Sequence, residues 1–320
     1  MITKKVLIFG ASGQIGRYCI RRLVRNNYKV IAVTRNTHQK GYILKTQATI
    51  GYLDIEQASI FDEEKINQLL SNADVCVNLV GILYEKGKNN TFNKIHTEFP
   101  DRISKICKKK NVDLIHVSAL ALDKVKNSKY AQSKINGEIK IRENFDRATI
   151  IKPSIIFSVD DKLSTRFMSL LSLLPIFPLY YNGETKFTPI HAADVAELIF
   201  NVISKEIVSK DIEAIGPEIL TFKEIIQVLS KSIKKKRLLV PIPLFLAKIS
   251  AIFFQIFPNP LLTLDQLRLL KYDSIQSENG ITNFDIGCPS KLYFEDSVLK
   301  YSFNYTEGGQ FSIRKKIKSA

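Results

Sequence analysis

"KKVLIFGASGQIGRYCIRRLVRN", residues 4–26, decides the fold. "KKVLIFG" (4–10) is a short apolar run of strand type, and "IGRYCIRRLVRN" after it carries a helical apolar pattern. Between them stand Gly10, Gly13 and Gly16. Glycines at this spacing permit a tight turn, close backbone approach to a pyrophosphate, and close packing of helix on strand. The helix N-terminus then offers unpaired N–H groups and the positive end of its dipole to phosphates. A glycine pattern alone is weak, but here it lies in the strand–turn–helix context that a dinucleotide fingerprint requires.

Outward from that unit the alternation continues. "YKVIAVTR" (28–35), "EQASIF" (56–61), "ADVCVNLVG" (73–81), "VDLIHVSAL" (112–120) and "RATIIKPSIIF" (147–157) read as buried strands. Helical stretches fall between most of them, at 62–72, about 92–110 and about 128–143. Continuous apolar strands alternating with helices predict an α/β fold: a doubly wound parallel sheet of Rossmann type, covered on both faces. After residue 157 the alternation becomes irregular and mainly helical, with helices expected at 162–174 and 221–235 and one starting near Asp194. The expected organisation is a nucleotide-binding domain over 1–160 and a smaller C-terminal lobe over 161–320, with 186–216 packing back on the sheet.

The end of the second strand bears on the choice of nucleotide. An acidic residue there would accept hydrogen bonds from the adenosine ribose. The strand ends instead in Thr34 and Arg35, with no acid, and Arg17 stands at the start of the first helix. Two guanidiniums can clamp a 2′-phosphate, which favours NADPH over NADH.

"SKYAQSKINGE" (128–138) places Tyr130 and Lys134 one helical turn apart, so both side chains point the same way. A nearby ammonium favours the phenolate and lowers the tyrosine pKa, which makes a proton donor. The same pair can equally hold a sugar hydroxyl and do no chemistry.

Lys and Arg number 47 against 31 Asp and Glu, a formal net charge of +16. Such a balance fits an anionic partner, and it fits equally a Lys-, Asn- and Ile-rich composition decorating a solvated surface. The basic runs at 108–110, 234–237 and 314–318 have no aromatics at a stacking spacing between them, which argues against nucleic acid and leaves anionic lipid or a large acidic complex. Cys19, Cys76, Cys107 and Cys288 are scattered, as are His38, His96, His116 and His191, so no disulfide framework and no metal site is expected. The N-terminus runs straight into a strand without a signal-peptide layout, which points to a cytoplasmic or equivalent reducing compartment. Residues 239–262 are nearly all apolar, with only Lys248 charged. Prolines at 241, 243, 258 and 260 confine a helix there to about 15 residues, near 22 Å and short of a bilayer core of about 30 Å. Three readings remain for it: a helix in the lipid interface, a docking surface, or part of the lobe's own core.

The chain resembles the short-chain dehydrogenase/reductase superfamily in its extended or atypical branch. The resemblance rests on the glycines at 10–16, "NLVG" (78–81), Ser118, Tyr130-xxx-Lys134, "KPSIIF" (152–157) and "FTPIHAADVAE" (187–197). It implies catalytic roles for Ser118, Tyr130 and Lys134 if the chain is active. It also implies nucleotide contacts from Gly10, Ser12, Gly13, Gln14, Ile15, Gly16, Arg17, Arg35, Ser59, Ile60, Leu79, Val80, Gly81, Tyr130, Lys134, Pro153, Ile155 and Ile156. More narrowly, "VNLVGILYE", "HVSAL", "IIKPSIIF" followed by "DDKLSTRF", and above all "LTLDQLRLLKYDSI" are similar to the nucleotide-binding accessory subunit family of respiratory complex I and its bacterial homologues. That likeness spans nearly the whole chain. It implies a tightly held, structural NADPH, a complex I or other membrane-associated partner, an anionic lipid surface close by, and a peripheral position at the inner face of a membrane, without metal or nucleic acid. Ser118 and Tyr130 stand only 12 positions apart, a shorter interval than in active extended reductases; Ser59 replaces an aspartate of many relatives, and Lys152 an arginine. The alternative is a working NADPH-dependent reductase or epimerase acting on an apolar, quinone-pathway-like carbonyl.

Overall fold

Strand β1 (Lys5–Phe9) is buried along all but its first residue, and helix α1 (Gln14–Val24) lays Gly16, Cys19, Ile20, Leu23 and Val24 on the core. The structure, a computed structural model, describes residues 4–256, 260 and 262–309. The basic run at 314–318 and the proline at 258 lie outside the described residues.

The chain continues through β2 (Lys29–Thr34), α2 (Thr37–Lys45), β3 (Leu53–Gln57), α3 (Glu63–Leu70) and β4 (Val75–Asn78). A π-helical turn at Asn93–Glu98 runs into α4 (Phe99–Lys110), followed by β5 (Asp113–Val117), α5 (Lys129–Asn144) and β6 (Thr149–Pro153). With the strand Asp211–Ala214, these form one seven-stranded parallel sheet in the order Asp211–Ala214, β6, β5, β4, β1, β2, β3. The chain reverses its direction across the sheet between β1 and β4, and the crevice at such a switch point is where open α/β sheets bind ligands. Helix starts follow local chemistry: Asp62 accepts from the Lys65 amide at 3.0 Å to open α3, and Ser128 from the Ala131 amide at 3.1 Å to open α5.

Two differences from the sequence reading are local. Helix α2 was not anticipated, because only Gly41 and Leu44 of its nine residues are buried and no apolar stripe marks it. The strand expected at 56–61 lies earlier, at Leu53–Gln57; Ser59 turns the chain instead, its hydroxyl accepting from the Phe61 amide at 3.2 Å.

The chain forms two compact units. The first comprises Met1–Pro153, Ala192–Ala214 and Gln276–Pro289, the second Ser154–His191, Ile215–Ile275 and Ser290–Ala320. Helix α6 (Ser164–Leu173) belongs to the second unit and α7 (Ala192–Ser204) to the first. The second unit adds α8 (Phe222–Ser232), α9 (Leu244–Gln255), α10 (Leu264–Leu269) and α11 (Phe294–Leu299), with short strand pairs such as Ile176–Leu179 beside Leu238–Pro241. Its core is aromatic and aliphatic, built on Phe157, Phe177, Phe222, Ile226, Leu229 and Phe294. Helix α9 buries only Ala247 and Ala251. No helix among the described residues is long and apolar enough to cross a membrane.

Candidate functional site

Gly10 closes β1 with φ +78°, and a Cβ there would lie 3.0 Å from the backbone carbon of Leu79. The glycine therefore lets the ends of β1 and β4 meet, and the Leu79 amide donates to the Phe9 carbonyl at 3.0 Å. Gly16 performs the packing role: a Cβ would sit 2.4 Å from the Ala11 carbonyl oxygen, so only glycine lets α1 lie this close to the loop.

The start of α1 is shaped for an anion. Gly13 caps it without a side-chain hydrogen bond, and no acidic residue occupies the first turn. The Gln14 side-chain amide nitrogen is buried there without a hydrogen-bond partner. Such a donor is costly to leave unmatched, and phosphate oxygens would satisfy it together with the first-turn N–H groups. Arg17 donates from Nε to the Gly13 carbonyl at 3.3 Å, and burial pushes its guanidinium down from its ordinary value. Ser12 accepts from Thr34 Oγ1 at 3.5 Å, which ties the loop to the end of β2. Arg35 follows on the surface, and the next residue, Asn36, caps α2 through the Gln39 amide at 3.0 Å. Ile15 is half-buried in α1, Ser59 is exposed, and Ile60 is buried with its carbonyl accepting from Arg102 at 2.8 Å.

Beyond β4 the chain meets α5. Half-buried Leu79 and Val80 lead to exposed Gly81. A Cβ on Gly81 would stand 3.7 Å from Lys134 Nζ and 3.8 Å from His96 Nε2. The structure thus brings Gly81 and Lys134 together, and adds His96, which sequence reasoning had set aside as an isolated histidine. The Ile82 amide donates to His96 Nε2 at 3.1 Å, which makes that nitrogen an acceptor. His96 Nδ1 then carries the proton to Ser133 Oγ at 3.0 Å, and Ser133 passes its own hydrogen to the Tyr130 carbonyl at 2.8 Å. Burial first, and the Lys134 charge second, pull the His96 pKa down to about 2, so the ring is neutral. The Tyr130 ring stands edge-on to both Phe92 and His96, with centroids 5.8 and 5.3 Å away.

Lys134 is buried, and its ammonium donates to the Val117 carbonyl at 3.1 Å. Burial lowers its pKa to about 8, opposed by the charge of Glu138 one turn further along α5. Under the sheet end lies a second buried polar pair. Asn78 accepts from the Val80 amide at 3.0 Å and pairs with His116 Nδ1 at 3.0 Å, while His116 Nε2 is buried without a partner.

Ser118 is buried just after β5, and its hydroxyl donates to the Glu138 carboxylate. Glu138 also pairs with Lys152 at 2.9 Å, and Lys152 with Asp211 at 2.8 Å. Burial works against the Lys152 charge, but Glu138 and Asp211 outweigh it and raise its pKa. Glu138 was missed in the sequence, although its place four residues after Lys134 on one helix face was the available signal. Pro153 is buried beside this group, its carbonyl accepting from the Leu120 amide at 2.9 Å, whereas Ile155 and Ile156 belong to the second unit.

A seven-stranded parallel sheet with a glycine-lined switch point, Ser118 just after β5 and Tyr130 and Lys134 on α5 define a protein of short-chain dehydrogenase type. The chain belongs to the NAD dependent epimerase/dehydratase family, which it matches over residues 6–216. That membership supports a nicotinamide nucleotide as the ligand. Among curated relatives it is 28% identical over 284 residues to the mitochondrial NADH-ubiquinone oxidoreductase 40 kDa subunit of Neurospora crassa, covering 88% of this chain and 74% of that protein. It is 27% identical over 310 residues to the mitochondrial NADH dehydrogenase [ubiquinone] 1 alpha subcomplex subunit 9 of Dictyostelium discoideum, covering 95% and 86%. Its fold is similar to that of a dTDP-glucose 4,6-dehydratase from Streptomyces venezuelae, solved with NAD bound, with TM-score 0.70 and 17% identity over 94% of this chain and 96% of the other.

Proposed function

We propose that this chain keeps NADPH as a largely structural ligand and serves as an accessory subunit of a respiratory complex, seated peripherally at the inner face of its membrane. The subunit role is supported by the two complex I relatives, whose similarity covers 88% and 95% of this chain and so extends beyond residues 6–216 into the C-terminal half. NADPH is favoured over NADH by Arg35 and Arg17 beside a β2 end without a carboxylate. Lys134 would hold the nicotinamide ribose, with the Tyr130 ring packed against it, and Gln14 with the α1 N-terminus the pyrophosphate. The nicotinamide would supply hydride chemistry to any substrate that reached it.

One observation carries the preference for holding over turnover. To polarise a substrate carbonyl, Ser118 must donate its hydrogen to that carbonyl, and here the Glu138 carboxylate takes it. The reductase reading keeps one support, the lowered pKa of Lys134 one turn from Tyr130. Native fractionation of gently solubilised membranes, with nucleotide extracted from the chain's fractions, separates the two. Co-migration with NADH dehydrogenase activity and one NADPH per chain would bear out the subunit reading. A free chain that oxidises NADPH with an added carbonyl compound would overturn it.

A further inference from the structure

Helix α9 is built inside out. Its buried residues, Ala247 and Ala251, are small, with 1% and 0% of their surface exposed, whereas Phe245, Ile249, Ile252 and Ile256 are 61%, 59%, 54% and 77% exposed. At about 100° per residue those four fall on one outward face, opposite the alanines. Lys248 and Gln255 stand together at one edge of that face and no charge interrupts it. A water-facing helix carries its polar residues outward, so this pattern marks a face that water does not cover. Two further exposed side chains, Leu238 and Ile176, pair across the short strands that lead into α9.

The chain just before that strand is basic. Lys234 and Lys236 are exposed, and Arg237 is anchored by donating to the Leu171 and Ser172 carbonyls at 2.6 and 3.1 Å. Six residues, the strand Leu238–Pro241 with Ile242 and Pro243, separate the run from α9, about 20 Å of extended chain at most. A two-fold dimer through this surface would pair the α9 face with its own copy, and α9 carries no acidic residue to meet the basic run. An anionic bilayer surface offers the opposite: negative headgroups for Lys234–Arg237, acyl chains for the outward face, and room for Lys248 to snorkel along its stem. With 12 residues, α9 is about 18 Å long and cannot cross a core of about 30 Å, so it would lie in the interface plane.

We propose that the outward face of α9, with the basic run at 234–237, docks on an anionic lipid surface, whether or not the nucleotide site is filled. The protein contains no tryptophan, so Phe245→Trp installs a single reporter on that face. Full-length protein carrying it is mixed with phosphatidylcholine vesicles, with and without phosphatidylglycerol. Flotation with the phosphatidylglycerol vesicles and a blue shift of the reporter are expected. Ile249→Glu with Ile252→Glu should weaken binding at least tenfold without changing the thermal midpoint, because both positions are exposed. Lys234→Gln with Lys236→Gln should abolish the preference for the anionic vesicles. No flotation, equal binding to both vesicles, or binding untouched by the Ile249 and Ile252 changes would overturn the proposal. A chain that is dimeric until Ile249→Glu makes it monomeric, and that ignores vesicles, would show instead that a second copy covers the face.

Discussion

The Ser118 hydroxyl donates to the Glu138 carboxylate, joining the end of β5 to a residue twenty positions further along, on α5. Glu138 is held in turn by Lys152, so the serine's hydrogen is committed to a compensated carboxylate. The same carboxylate supports the charge of Lys134 one turn away.

Glu138→Gln removes that support. Lys134 should then lose its proton more readily, and the alkaline limit of nucleotide retention should move down by about one pH unit. Lys152 loses one of its two carboxylate partners, which should cost about 1–3 kcal/mol of stability. Retention measured against pH, beside a denaturant titration, checks both. An unmoved limit would show that Lys134 does not govern retention.

The Lys134 ammonium also sets a pH dependence for the nucleotide-free protein. Its folded pKa of about 8 lies below the ordinary 10.5. Below pH 8 the lysine is charged in both states and the cost of burying it is present in full. Between about 8 and 10.5 the unfolded chain keeps the proton and the folded chain releases it, so stability should climb, by about 3 kcal/mol in all. Lys134→Met should abolish this rise, which urea titrations across that range would reveal.

His96 acts at the acid end. Its ordinary pKa of 6.5 falls to about 2 in the fold, through burial first and Lys134 second. Below pH 6.5 the unfolded chain takes up a proton that the folded ring refuses, so stability is lost as pH falls, by about 1.4 kcal/mol per unit. His116, also lowered by burial, adds to the slope. His96→Gln should make the acid limb of the melting curve visibly shallower, and an unchanged limb would refute the assignment.

Arg35→Asp should weaken NADPH by tenfold or more and NADH far less, because only the former carries the 2′-phosphate. Calorimetry with both nucleotides measures the ratio. Equal losses would sink the 2′-phosphate assignment.

Tyr130→Phe keeps the ring that stands edge-on to Phe92 and His96. Nucleotide retention should stay within about threefold of the parent. Wholesale loss of nucleotide on purification would assign the hydroxyl a binding role of its own.

What the sequence by itself determined was local and periodic. Glycines at 10, 13 and 16 between an apolar strand and a helix specify the loop, since their conformational freedom and lack of side chains act within a few residues. Apolar runs five to six residues long specify buried strands, and Tyr130-xxx-Lys134 specifies one helix face. Tertiary structure decided what those elements meet. Glu138 reaches Ser118, and His96 reaches Gly81 and the start of α5, only once the parallel sheet brings β4, β5 and α5 together, contacts that no local spacing encodes. Stretch 239–262 is apolar on nearly every side, so its composition could not say which face turns inward. Packing chose the two alanines, because a helix can come closest to its neighbours along its smallest side chains, and that choice left the phenylalanine and isoleucines facing out.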